Sequence, residues 1–477
     1  MGAVLIFSVF ALTQVAGSKP RLVGDGAEYL LMADRLAHFE APRFDPSRRV
    51  DDEQRFATLG GDFAGRIQNY SGGGRTHEFF HFWFYPLLVA PFMRLFQFFG
   101  GDSLRAFAVV NLVLLGATVW IVQRTLSKWA SLLLVMGPVI WWIDKPHAEV
   151  FMFCTIAIAV AFLPDRPGIS AIALAFAATQ NLPVAAAAAG VGITALIQER
   201  RWRSRTYWLQ LTAAGLICCV HPLYYKLSVG VLTPQQLNKG FSNHLPSFKE
   251  LAAPLFDLNI GLVPAAPVLA LVVIAGWLVL LSRRRATLVP SVGVVIMAIV
   301  FLFSFAQTAN INSGGTPNMS RYAVWLIPLG IPALAAVSRG LLSEEALAVL
   351  TGVSCLLAVV QYRPGISESG YVYPTPLAAF VWGHAPSFDN PLVEVFFERI
   401  SHTDQQVFFE RTSHTYQPAV SIATPTCSKV LVVHWYWPVG CPRPHIPTVC
   451  AKVCYANRAD KGRYHFVRAN VGQESFG

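Results

Sequence analysis

The chain has 477 residues, of which 54% are hydrophobic and only 13% charged, against about 25% charged in ordinary soluble domains. With a mean hydropathy of +0.46, this balance excludes a disordered chain, a secreted disulfide miniprotein and a typical cytosolic enzyme, since a soluble globule must show most of its residues to water. The net charge of +10 fits Lys and Arg gathered in the cytoplasmic loops of a polytopic membrane protein, not a nucleic-acid-binding face.

Apolar runs recur along the chain, and a helix crossing a bilayer needs about 17–25 such residues. The first is MGAVLIFSVFALTQVAG, residues 1–17. It has neither a basic leader nor a small-residue cleavage site, so it reads as an uncleaved span and not a signal peptide. Further runs are 104–123, 130–143, 148–163, 168–180, 182–197, 207–227, 260–282, 287–306, 321–338 and 345–361. Together they predict an all-α polytopic membrane protein of about eleven spans. The run FFHFWFYPLLVAPFMRLFQFF (79–99) is also apolar, but it carries Pro86, Pro91 and a central Arg94. It is expected to lie at the membrane interface or re-enter it; a further crossing is the rival reading.

Basic breaks set the expected orientation. ERRWRSR (199–205) has four arginines, SRRR (282–285) three, and Arg124 and Lys128 flank another break. The positive-inside rule places these in the cytoplasm. Loop 18–103, the DKPHAE turn (144–149), loop 228–259, residues 307–320 and everything after 361 then face outward. Residues 1–361 form the expected membrane module and 362–477 a small extracytoplasmic α/β or β-containing domain, because KVLVVHWYW (429–437) reads as a strand. Cys427, Cys441, Cys450 and Cys454 lie in that segment. Placed outside, they read as two disulfides; zinc binding with His434 and His445 is the weaker alternative, because the CxxxC spacing departs from the usual pattern.

Two acidic clusters fall on the outward side. In GDGAEYLLMADRLAHFE (24–40), Asp25 and Glu28 are three residues apart, so both carboxylates project to one side of a helix beginning at Gly26. An N-cap Asp with a Glu in the first turn would produce the same pattern. An acid against the bilayer, however, is costly unless it is used or paired. In WWIDKPHAEVF (141–151), Asp144, Lys145, His147 and Glu149 interrupt two apolar runs. A solvated turn explains them as well as a shared site does. The outward cations are Lys145, Lys226, Lys239 and Arg321. Arg321 is favoured as an anion ligand because it opens an apolar helix, although a snorkelling interfacial Arg would look the same. His147 and His221 read as structural or substrate-contact residues rather than nucleophiles. No P-loop, GxSxG, HExxH or Rossmann fingerprint occurs.

In order and sidedness, GDGAEYL, HEFFHFWFYPLL, DKPHAEVF and NMSRYAVWLIPLGIPAL (318–334) resemble the GT-C superfamily of polytopic glycosyltransferases. The likeness covers roughly residues 1–340 in layout. One departure is that Tyr85-Pro86 stands where aminoarabinose and O-mannosyl members have a Pro-Pro pair. The resemblance implies an enzyme of the bacterial inner membrane that moves a hexose or pentose from a polyprenyl-phosphate donor to a glycan, lipid or protein hydroxyl. Inversion at the anomeric carbon, with Asp25 as base and Glu28 beside it, is part of that implication. Asp144, Lys145, His147, Glu149, Arg321 and Lys226 would contact substrates. Asp144 and Glu149 could hold a divalent metal or orient the acceptor. The rival class is a lipid-linked-sugar flippase or transporter, which would bury charges at mid-membrane depth and carry inverted repeats; no internal repeat is visible.

Overall fold

The computed structural model describes residues 2–56, 69–72, 76–198, 203–236, 245–282, 288–308, 311, 316–385, 388–402, 420–423, 429–433 and 464–466. Helices dominate these residues. In chain order they are α1 (Gly2–Ala16), α2 (Gly26–Ala37), α3 (Arg49–Arg55), α4 (Phe84–Phe98), α5 (Arg105–Val122), α6 (Lys128–Val135), α7 (Glu149–Phe162), α8 (Pro167–Ala178), α9 (Val184–Gln198) and α10 (Arg205–Val229). There follow α11 (Phe248–Phe256), α12 (Leu262–Ala265), α13 (Pro267–Ser282), α14 (Leu288–Ala306), α15 (Ile331–Ser338), α16 (Glu344–Tyr362), α17 (Pro376–His384) and α18 (Val393–Ser401). Two tighter 3₁₀ segments, Pro138–Trp142 and Arg321–Gly330, bear on the site.

Local chemistry explains where the apolar runs break. The run 130–143 leaves the α-helical path at Gly137-Pro138, because proline lacks an N–H and clashes with the preceding turn. Run 260–282 divides between α12 and α13, with Pro267 opening the second helix. Ser127, Ser204 and Ser343 cap α6, α10 and α16, each side chain accepting from the backbone N–H three residues on; such a cap is worth about 1 kcal/mol. Among the described residues, Arg105–Val122, Arg321–Ser338 and Glu344–Tyr362 are long and apolar enough to cross a membrane on their own. Helices α1, α4, α7, α8, α9 and α13 are apolar but shorter. Within α4, Tyr85, Pro86, Val89, Ala90 and Met93 are buried while Leu87, Arg94, Leu95 and Phe98 are exposed.

The chain forms two compact units. The first comprises residues 1–246, 266–309 and 321–366. Here α7 packs on α5 and α8, α8 on α9 and α10, α9 on α14, and α13 on α15. Helix α7 is apolar on every side and buried along almost its whole length, as expected of a central helix. An ionic network ties down the segment after α1. Asp34 accepts from Arg55 at 2.9 Å and from Gln97 at 2.7 Å, and Arg35 pairs with Asp52 at 2.6 Å. These bonds join α2 to α3 and α4. Strands β1 (Asn69–Gly72) and β2 (Thr76–Phe79) form an antiparallel hairpin immediately before α4.

The second unit comprises residues 247–265, 310–320 and 367–477. Composition changes once along the chain, near 361, but this unit also recruits two earlier stretches. The reason is a shared core in which Ala253, Ile260, Ile311 and Val395 pack together. Backbone bonds reinforce it, with Ser320 N–H donating to the Ile260 carbonyl at 3.0 Å and Thr375 N–H to Asn259 Oδ1 at 3.2 Å. Strands β3 (Val420–Ala423), β4 (Lys429–Val433) and β5 (Tyr464–Phe466) form an antiparallel sheet in that order. Cys427, Cys441, Cys450 and Cys454 lie outside the described residues, as do His434, His445, Lys239 and parts of both basic breaks (199–202 and 283–287).

Candidate active site

Asp25 ends the short connection between α1 and α2. Gly24 adopts φ +46°, a conformation that L side chains rarely take. A Cβ on Gly26 would stand 3.0 Å from the Pro146 ring, so the glycine lets the start of α2 come close to the 144–149 turn. Asp25 occupies the N-cap place of α2, yet its side chain makes no cap hydrogen bond. The carboxylate is turned elsewhere, and this separates it from an ordinary helix-start Asp.

Its Oδ2 atom is the point of convergence. Arg321 Nη1 donates to it at 2.8 Å, His81 Nε2 stands at 3.2 Å and His147 Nε2 at 3.6 Å. The Asp25 side chain keeps 23% exposure and Arg321 15%, so the group is enclosed but reachable. Burial alone would raise the carboxyl pKa. The charges of His81 and Arg321, with hydrogen bonds from His147 and His81, outweigh burial and hold it well below the usual carboxylate range. Asp25 is therefore firmly ionised.

Glu28 lies one helical turn on and is fully buried. Its Oε2 accepts from the backbone N–H groups of Phe80 (3.0 Å) and His81 (3.2 Å) and faces His81 Nδ1 at 2.9 Å. His81 thus bridges two carboxylates. Burial pushes its pKa down, but Asp25 and Glu28 raise it to about 10, so the ring is an imidazolium at neutral pH. The Tyr29 ring packs against both imidazoles, 5.5 Å from His81 and 5.2 Å from His147.

The DKPHAE turn is buried, which a solvated turn would not be. Asn111 of α5 holds it by donating to the carbonyls of Trp142 (3.2 Å) and Ile143 (3.1 Å), while Tyr85 donates to Asn111 Oδ1 at 2.8 Å. The four polar residues of the turn go to two places. His147 and Glu149 join Asp25. His147 Nε2 lies 3.1 Å from Arg321 Nη1, and its Nδ1 stands 3.2 Å from Glu149 Oε1. Glu149 also accepts from Trp325 Nε1 and stands 3.8 Å from Arg321 Nε.

Asp144 and Lys145 are both at 0% exposure and are used differently. Lys145 Nζ pairs with Asp144 at 2.6 Å, donates to the Pro364 carbonyl at 3.0 Å and sits 4.2 Å from the Trp141 ring centre. Trp141 and Arg21 in turn donate to the Ile366 carbonyl. Asp144 and Lys145 therefore clamp the chain after α16, and a lysine so enclosed is not presented to an incoming phosphate. Lys226 is exposed near the C-terminal end of α10, where it donates to the Gly230 carbonyl at 3.0 Å. Among the described residues no group of three or more His, Cys, Asp or Glu is arranged to hold a metal ion, and Asp144 and Glu149 have separate partners.

Sequence reasoning missed His81 and Trp325. His81 carried a faint signal as the one ring able to carry a charge in the aromatic run 79–85. Trp325 carried none, since a Trp in an apolar helix is ordinary core.

No family model matches the chain and no curated protein matches it. Among solved structures it is similar to ArnT from Cupriavidus metallidurans bound to undecaprenyl phosphate, with a TM-score of 0.47 and 15% identity over 84% of this chain and 68% of that one. The apo state of the same protein gives 0.45 and 16% over the same shares. At that level of likeness neither structure carries a role over to this chain, and the chemistry has to come from its own residues.

Proposed function

We propose that the chain is a polytopic membrane glycosyltransferase of the GT-C type. It moves a sugar from a polyprenyl-phosphate donor to an acceptor hydroxyl at the outer face of the membrane, with inversion. One observation carries the reading: the carboxylate that follows the first apolar helix does not cap α2 but is gathered with Arg321, His81 and His147. A donor of this kind keeps its tail in the bilayer, so its reacting carbon must meet the acceptor beside a helix end.

In the step proposed, Asp25 takes the proton of the acceptor hydroxyl on Oδ1, since the Arg321 and His81 contacts fall on Oδ2. The acceptor oxygen bonds to the anomeric carbon from the side opposite the phosphate. The bond from that carbon to the phosphate oxygen breaks, and its electron pair leaves on the polyprenyl phosphate. Arg321 and His81 balance the charge that develops there. As the phosphate shares those cations, Asp25 is less tightly held and regains strength as a base. Positioned general bases contribute typically about 10²–10⁴-fold.

The test is Asp25→Asn, assayed for transfer from undecaprenyl-phosphate-linked sugars. The expected result is a loss of about a hundredfold or more, with binding of bare undecaprenyl phosphate retained. Near-normal turnover would remove Asp25 as base and bring the flippase reading forward.

A further inference from the structure

One residue beyond His81 the chain enters an aromatic cluster that the proposed step does not use. Phe82 and Trp83 face His221 of α10, with ring centres 5.0 and 4.8 Å from the imidazole. Tyr225 stacks on the same imidazole at 6.0 Å and donates its hydroxyl to the His81 carbonyl at 3.1 Å. The cluster is thus tied to the backbone of a residue that touches Asp25.

Its polar atoms stand out. His221 is 1% exposed, and among the described residues neither of its ring nitrogens has a hydrogen-bond partner. The buried Nε1 of Trp83 also has none. Leaving such atoms buried and unpaired is destabilising, which is a poor use of polar side chains if packing were their only task. A Phe at 221 would fill the space without that cost.

The donor and acceptor inventory narrows the ligand. Neutral imidazole offers one donor and one acceptor, and the indole adds one donor. A phosphate is matched less well: among the described residues the nearby guanidinium, Arg43, pairs with Glu78 at 2.7 Å, and Glu78 also accepts from Tyr224 at 3.1 Å. A lipid chain would leave all three polar atoms dry. Neighbouring hydroxyl groups on a ring both donate and accept, and the C–H face of such a ring packs on aromatic surfaces. From this juxtaposition we infer that Phe82, Trp83, His221 and Tyr225 form a subsite for a saccharide ring. The inference rests on the transferase reading in that the sugar is a substrate's, carried either by the lipid donor or by the acceptor.

The experiment uses the full-length protein in lipid nanodiscs. Binding is measured for bare undecaprenyl phosphate, for the same lipid carrying a hexose or a pentose, and for methyl glycosides in competition. Wild-type protein should bind at least one sugar-bearing lipid about tenfold more tightly than the bare lipid, as one or two net hydrogen bonds allow. His221→Phe and Trp83→Phe should each lose that increment, keep the bare-lipid affinity and melt no lower than wild type. If the variants keep the increment but weaken methyl glycoside competition, the subsite belongs to the acceptor sugar. Two results overturn the proposal: both variants keeping the sugar-lipid increment and methyl glycoside competition alike, or bare-lipid affinity falling in step with stability. Failure of the wild-type protein to bind bare lipid would overturn the donor assignment instead, and the methyl glycoside arm would still decide the subsite.

Discussion

Arg321 and Asp25, 296 positions apart in the chain, form an ion pair 2.8 Å long, and that pair joins the connection after α1 to the 3₁₀ segment before α15. It is only partly enclosed, so an incoming anion can compete for the guanidinium. The pair holds Asp25 ionised while the Arg321 side chain keeps 15% exposure.

Arg321→Gln should therefore weaken binding of bare undecaprenyl phosphate and slow transfer, each by about tenfold or more, since hydrogen bonds to charged groups are worth about 1.5–3 kcal/mol. Combined with Asp25→Asn, the losses should be well short of additive, because the two side chains act on one another. A double-mutant cycle on transfer rates checks this; strict additivity would separate the two residues functionally.

His81 sets a pH dependence of opposite sign to that of Asp25. Its folded pKa is raised to about 10, so its stabilising contribution is complete below about pH 6.5, the unfolded value, and is lost as pH rises through 10. Asp25 is depressed, so its contribution is present above about pH 4 and fades only in acid. Melting temperatures measured from pH 6 to 10.5 should fall more steeply in wild type than in His81→Gln. Parallel curves would show that the imidazolium bridge contributes nothing.

Glu28→Gln should act through His81. A neutral amide cannot hold the imidazolium as a carboxylate does, so the His81 pKa should drop and its alkaline transition move to lower pH. Transfer should fall by less than in Asp25→Asn, because no reacting proton passes through Glu28. The pH profile of kcat is the readout.

Lys145→Met should destabilise the protein by about 3–5 kcal/mol, the usual consequence of leaving one member of a buried ion pair alone. Asp144→Asn combined with Lys145→Met should recover much of that loss. A phosphate-binding lysine would behave otherwise, with donor KM rising and melting temperature unchanged. Melting curves and donor KM on the two variants and wild type distinguish these readings.

Much of the layout was legible in order. Apolar runs bounded by Ser caps, prolines and basic breaks place the helices, because helix formation and partition into lipid depend on local composition. Asp25 and the DKPHAE turn could be singled out because charge beside long apolar runs is expensive. Identical local evidence, however, covered different outcomes. Asp25 had the sequence of an N-cap and is turned away from that role. His147 and Glu149 face Asp25, while Asp144 and Lys145, in the same turn, clamp the chain after α16. Direction around a buried turn depends on which carbonyls Asn111 holds and where Arg321 arrives, and both come from distant parts of the chain. Sequence by itself determined which residues carry charge near the membrane. Only tertiary structure decided which of them meet, because a carboxylate's partner is chosen by three-dimensional packing and not by spacing along the chain.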